Sequence, residues 1–199
     1  MENNMNNSMD FSSMTLLIIG LIIFISIHFV PAIPSLKNSL VHRLSPNGYK
    51  GIFSAIALIG LTLIVIGKMN ADFINAYTPI NGAKHIAMTL MLIAFILLPA
   101  AHMKGNIKRF TRHPMLWGVV CWSIAHLLAN GDLASVIMFG SLGVYSLIAM
   151  LTANARGAQK QIEKLPLKKD FIVFAAGFTT YVAIMFLHPY LFGYAIINV

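Results

Sequence analysis

Six long apolar stretches, almost free of charged residues, determine most of what this chain can fold into. They are Ser13–Ile33, Gly51–Gly67, Ala83–His102, Met115–Ala129, Leu133–Leu151 and Phe171–Tyr190. A helix needs about 20 apolar residues to cross a bilayer, and most of these stretches reach that length. Only 10% of the 199 residues are charged, which is too few to cover a water-soluble helix bundle. The sequence predicts an all-α polytopic membrane protein with about six transmembrane helices.

Two short polar segments set the boundaries within this predicted bundle. Residues 1–12 are polar and lack the positive charge that begins a secretory signal peptide. We therefore expect a disordered leader, followed by one transmembrane domain over residues 13–199. The tripeptide Asn130-Gly131-Asp132 separates the short fourth stretch from the fifth. It favours a tight turn, with a positive φ at Gly131 and with Asp132 capping the fifth helix.

Basic residues alternate from loop to loop along the chain. Twelve of the fourteen lysines and arginines lie in the loops after helices one, three and five, and only Lys68 and Lys84 lie elsewhere. The twelve are Lys37, Arg43, Lys50, Lys104, Lys108, Arg109, Arg112, Arg156, Lys160, Lys164, Lys168 and Lys169. The positive-inside rule places these three loops in the cytoplasm and both termini outside. The net charge of +8 is then explained by topology and contact with anionic lipids, not by nucleic acid.

Imidazole is the main reactive group inside the predicted spans. No carboxylate lies within any of them, so paired-acid catalysis lacks its reagents. His28 and His126 are flanked by apolar residues, and His188 lies deep in the sixth stretch. Ionisable residues within spans are costly and are commonly functional. Two interpretations stay open: a hydrogen bond between helices, or ligation of a metal or haem iron by a neutral imidazole.

The fourth stretch carries polar side chains at both ends. At 100° per residue, Trp122 lies about 40° from His126 around the helix, so an indole N–H shares the histidine's face. At the other end, Arg112 and His113 precede Pro114, and proline is favoured at the first helical position. Arg112 then either anchors the helix at the headgroups or binds an anion together with His113, such as a haem propionate or a substrate phosphate.

Four segments of the chain resemble the NnrU family of bacterial membrane proteins. They are FISIHFVPAIPSLKNSL, GYKGIFSAIALIGL, RHPMLWGVVCWSIAHLLANGD and ASVIMFG, and the resemblance covers about residues 17–149. The RHP…W…AHLLANGD block is its specific part. The resemblance implies a multi-pass protein of the bacterial inner membrane that is associated with nitrite and nitric oxide metabolism in denitrification.

The NnrU family is also similar to the plant ζ-carotene isomerase, a haem-dependent membrane enzyme. The two histidines regarded as iron ligands in that enzyme correspond here to His28 and His126. The resemblance therefore implies a bis-histidine b-type haem. From their positions at the start of the fourth stretch and beside His126, Arg112, His113 and Trp122 are the further candidate cofactor-binding residues. The resemblance also implies redox or isomerase-like activity, and a small hydrophobic or nitrogen-oxide ligand. It assigns no catalytic residue.

Two features of the sequence limit this resemblance. The isomerase has a cysteine three residues before the second ligand, where this chain has Ser123. The lone Cys121 lies on another face, and a single cysteine excludes an internal disulfide and a cysteine-based zinc site. By depth in the membrane alone, His188 is as good a second ligand as His28, and only the resemblance favours His28.

Two other functions stay open. The pattern RHP-x-x-x-G, ending at Gly118, is similar to the cofactor-binding segment of isoprenylcysteine-type membrane methyltransferases. Those enzymes usually have tyrosine in place of Leu116 and an acidic pair before the last helices, where this chain has only Glu163. The remaining alternative is a non-enzymatic accessory or sensor protein without haem.

Overall fold

The computed structural model describes residues 2–193 of the chain, without the side chains of residues 2–12. Within that range the regular structure is helical. It consists of α1 (Glu2–Phe29), a 3-10 turn (Val30–Ala32), α2 (Pro34–Met69), α3 (Ala83–His102), α4 (Ile107–Phe110), α5 (Pro114–Ala129), α6 (Leu133–Ala155) and α7 (Leu167–Phe192). The predicted all-α fold is confirmed.

Six of these helices correspond to the six apolar stretches. Five are long and apolar enough to cross a membrane, and α5 is a shorter apolar helix of 16 residues. The protein is thus a multi-pass membrane protein. The orientation of the termini stays a prediction, because helix length and composition do not determine which side faces the cytoplasm. The disordered leader over residues 1–12 also stays a prediction; the backbone of residues 2–12 forms the first part of α1, and their side chains lie outside the described residues.

The helix α2 is interrupted inside the segment that carries its basic residues. Ser45 has φ 65° and ψ 161°, outside the helical region, and Pro46 follows it. Proline lacks the N–H that a helix needs and disfavours helical geometry in the residue before it. The segment that carries Lys37, Arg43 and Lys50, which the sequence indicated as a loop, is therefore helical on both sides of a break.

The chain folds into two compact units, each with its own packed helices. The first unit consists of Met1–Thr78 and Asn130–Tyr145. Within it α1 packs on α2, and the buried side chains of Leu17, Leu21 and Ile64 form a core with Ala134 of α6. Glycines allow the backbones of α1 and α2 to touch: a Cβ on Gly20 would lie 2.7 Å from the Ile64 nitrogen.

The second unit consists of Pro79–Ala129 and Ser146–Val199. Its central helix is α3, which packs against both α5 and α7. Glycine again permits the closest approach, because a Cβ on Gly177 of α7 would lie 2.6 Å from the Phe95 carbonyl oxygen. The helix α6 contributes its first half to the first unit and its second half to this one.

The turn between α5 and α6 lies where the sequence predicts it. The helix α5 ends at Ala129 and α6 begins at Leu133. The Ser135 amide donates to Asp132 Oδ1 at 2.9 Å, so the predicted cap by Asp132 is confirmed.

The predicted positive φ at Gly131 is wrong. Among the residues that the structure describes, the glycines with positive φ are Gly82, Gly157 and Gly193. The reason is tertiary: the turn pairs with the segment 74–77, which forms an antiparallel bridge between Asn75 and Asp132. The Gly131 carbonyl accepts hydrogen bonds from the Ala76 and Tyr77 amides at 2.8 and 3.1 Å. This pairing fixes the conformation of the turn.

Candidate functional site

His28 lies on α1, in the first unit, with one ring nitrogen engaged. Its Nδ1 is 2.6 Å from the Phe24 carbonyl oxygen, one turn earlier on the same helix. A carbonyl oxygen can only accept, so Nδ1 carries the proton. In a neutral imidazole the other nitrogen, Nε2, is then an acceptor with a lone pair.

Aromatic rings surround His28. The Phe24 ring lies 4.1 Å from the imidazole, the Phe53 ring 5.2 Å and the Tyr145 ring 6.2 Å, centroid to centroid. The last two meet it edge-on. These contacts come from α1, α2 and α6, so the fold of the first unit fixes the plane of this imidazole.

His126 lies on α5, in the second unit, and repeats the backbone hydrogen bond of His28. Its Nδ1 is 2.9 Å from the Trp122 carbonyl oxygen, again one turn earlier. The Trp122 ring lies 5.1 Å from the imidazole, so the predicted sharing of one helix face by these residues is confirmed. His188 of α7 belongs to the same unit as His126.

Arg112 and His113 converge on a residue that the sequence analysis did not select. The Asn154 Oδ1 atom of α6 accepts from Arg112 Nη1 at 3.1 Å and lies 3.0 Å from His113 Nε2. Both contacts tie the start of α5 to the end of α6 within the second unit. His113 and His126 are thirteen residues apart, about 20 Å along the helix axis. The structure therefore groups His126 with Trp122, and Arg112 with His113, at opposite ends of α5.

Lys68, Tyr77 and Asp132 form a cluster of polar contacts at the start of α6, which we call the polar clamp. Asp132 is buried, and its Oδ1 lies 2.8 Å from Lys68 Nζ. Burial raises the pKa of the Asp132 carboxyl, but hydrogen bonds from Lys68 and Ser135 outweigh it and hold the pKa below its usual value. Tyr77 donates to the Asn130 carbonyl at 2.8 Å, and its pKa is raised by burial and by the nearby Asp132 charge. Lys68 and Asp132 thus form an ion pair that also caps α6.

Replacing Asp132 with alanine is expected to lower the free energy of unfolding by about 2–3 kcal/mol, because the helix cap is lost and the Lys68 ammonium loses its partner. Asp132→Asn keeps the cap acceptor and loses the charge, so a loss of about half that size is expected. Unfolding in detergent, followed by circular dichroism, measures both effects. Asp72→Ala, an exposed acid of the connection between α2 and α3, is the control. Equal stability of Asp132→Ala and this control would show that the contacts of Asp132 do not stabilise the fold.

The described residues can be compared with what a bare metal ion and a haem each require of a protein. Among those residues, no three His, Cys, Asp or Glu side chains are grouped so as to hold a metal ion. A haem needs only one or two protein ligands, because the porphyrin supplies the others, and histidine is a common axial ligand. The residues His28 and His126 fit that requirement, since a hydrogen bond at Nδ1 is the usual way of orienting a ligating imidazole. The assignments of Arg112, His113 and Trp122 to the cofactor stay predictions.

A comparison with protein families finds a match over nearly the whole chain. The family model described as "NnrU protein" matches residues 16–196. No curated protein and no solved structure matches this chain.

Proposed function

The chain belongs to the NnrU family, and from that premise we propose that it is a haem-binding protein of the bacterial inner membrane that acts in nitrite and nitric oxide metabolism. The family resemblance supplies the metabolic context and the haem. The long apolar helices supply the membrane location. The proposal then depends on whether residues inside the spans can hold the group.

The observation that carries the proposal is the shared geometry of the two histidines. In both, Nδ1 is tied to the carbonyl oxygen four residues earlier. This bond satisfies the Nδ1 proton and selects the tautomer whose Nε2 bears the lone pair. The same bond orients the ring and raises the basicity of Nε2. In both His28 and His126, Nε2 is therefore the atom that would ligate the iron.

We propose that His126 would hold the haem iron, and two other histidines are candidates for a second ligand. His28 is the residue that the resemblance indicates, and its imidazole plane is fixed by aromatic neighbours. His188 belongs to the same unit as His126. Single substitutions distinguish the two, because only the true ligand changes the spectrum of the bound haem.

The residues around each histidine support a haem in two further ways. The Trp122 ring beside His126, and Phe24, Phe53 and Tyr145 beside His28, offer flat apolar surface that a porphyrin could pack against. A haem with histidine ligands supplies electron transfer, and it can bind nitric oxide if one ligand is displaced. Both a redox and an isomerase-like activity are compatible with that chemistry.

The absorption spectrum of the purified full-length protein tests the proposal. The chain is produced with an adequate haem supply and extracted in a mild detergent. We expect a Soret band and a b-type pyridine haemochrome in both the wild type and His85→Ala, an exposed histidine at the start of α3. Nitric oxide added to the reduced protein should shift the spectrum.

Other results would favour the alternatives. A colourless preparation that stays colourless when haem is added would favour an accessory or sensor protein without haem. Binding of S-adenosylmethionine by that preparation would favour the methyltransferase. Glu163, the acidic residue nearest to that family's pattern, is exposed on the α6–α7 connection.

A further inference from the structure

We propose that one end of the second unit is a binding site for anionic phospholipid headgroups. The site is formed by two connections, residues 103–113 between α3 and α5 and residues 156–166 between α6 and α7, together with the first residues of α7. We refer to this surface as the loop platform. It lies where the apolar helices α3 and α7 end and begin, which is the level of the headgroups if these helices cross the bilayer.

Asn106 joins the two connections into one surface. Its buried side chain donates to the Leu165 carbonyl at 2.8 Å and accepts from the Leu165 amide at 2.8 Å. A third bond between the connections runs from the Gln161 amide to the Lys108 carbonyl at 3.0 Å. The two connections are therefore held in one arrangement by the protein itself.

The loop platform and its helix ends carry far more positive than negative charge. Nine basic residues lie on residues 103–113 and 156–170, and Glu163 and Asp170 are the acidic residues there. The Asp170 carboxylate is occupied, since both its oxygens accept from Asn106, from N and Nδ2, each at 2.6 Å. Most of the lysine ammonium groups are exposed, which leaves their charge available to an anionic partner.

Large apolar side chains are exposed among these basic residues. Ile162 is 93% exposed, Leu167 77% and Phe110 76%. In water such side chains would be unfavourable, whereas at a membrane interface they enter the boundary between headgroups and acyl chains. Basic residues near an anionic surface contribute about 1 kcal/mol each. The mixture of the two types fits a lipid surface better than a soluble acidic protein.

Native mass spectrometry of the full-length protein in detergent can measure this binding directly. The protein is titrated with phosphatidylglycerol and, separately, with the zwitterionic phosphatidylcholine. We expect phosphatidylglycerol to bind more tightly, and we expect Lys164→Gln/Lys168→Gln/Lys169→Gln to weaken it at least about tenfold. Asn106→Ala keeps every charge and is expected to weaken the binding several-fold because the two connections separate.

The matched control is Lys37→Gln/Arg43→Gln/Lys50→Gln, which removes the same charge from α2. It is expected to change the affinity by less than about twofold if the site is local. Equal losses in the two triple variants would show that net charge alone attracts the lipid and would overturn the proposal. Equal affinity of the wild type for the two lipids, or binding of a soluble polyglutamate peptide as tight as that of phosphatidylglycerol, would overturn it as well.

Discussion

Replacing His126 with alanine is expected to leave the purified protein without haem, whereas His85→Ala keeps the wild-type haem content. The methyl group of alanine offers no ligand atom. The iron would lose Nε2 of His126, whose ring is oriented by the hydrogen bond from Nδ1 to the Trp122 carbonyl. The loss is measured as the ratio of Soret absorbance to protein absorbance. Circular dichroism of the same samples separates loss of haem from loss of fold.

Rescue by a small ligand makes this test specific. His126→Gly opens space for a free imidazole, which we expect to restore haem binding when it is added to the buffer. His28→Ala and His188→Ala then identify the second ligand, because only one of them should change the reduced spectrum. An unchanged haem content in His126→Ala would show that His126 is not a ligand, even if the protein binds haem through other residues.

Replacing Gly67 with alanine is expected to destabilise the first unit by about 2–3 kcal/mol or more, because overpacked helices must separate. A Cβ at this position would lie 2.8 Å from both the Leu17 Cα and the Ser13 carbonyl oxygen. These are backbone atoms, so no rotation of a side chain can relieve the contact. The protein's midpoint in a thermal or sodium dodecyl sulfate unfolding series measures the loss.

The same substitution elsewhere in the membrane should have the opposite sign. A Cβ at Gly140 of α6 would meet no atom within 4 Å. Alanine is the better helix former by about 1 kcal/mol, so Gly140→Ala is expected to leave stability unchanged or to raise it. Equal behaviour of the two variants would mean that α1 and α2 are not in close backbone contact.

The sequence predicted features that depend on local pattern. The apolar stretches predicted the six main helices, five of which are long enough to cross a bilayer, and the cap by Asp132 followed from its position before α6. Position within the apolar stretches selected His28, His126 and His188 as candidates, and only the family resemblance favoured His28 over His188. The pairing of Trp122 with His126 required only the helical repeat.

The features that the sequence did not predict arise from contacts distant along the chain. Phe53 and Tyr145 contact His28 from two other helices. The residues of an apolar stretch do not indicate which face of one helix will pack against which face of another. The conformation of Gly131 is set by the segment 74–77, not by the turn residues. Asn154 could have been selected from the sequence as a candidate polar contact, since it is a polar residue at the end of an apolar stretch and near Arg156.

The division of α6 between the two units has a consequence for biogenesis. The helices α1 and α2 are neighbours in the sequence and can pair as soon as both have entered the bilayer. The residues that complete their unit, Asn130–Tyr145, are synthesised only after α3 and α5 have emerged from the ribosome. Until then the flank of α1 that receives Ala134 is covered by lipid or by the insertion machinery. The ion pair between Lys68 and Asp132 therefore forms late and marks the completion of the first unit.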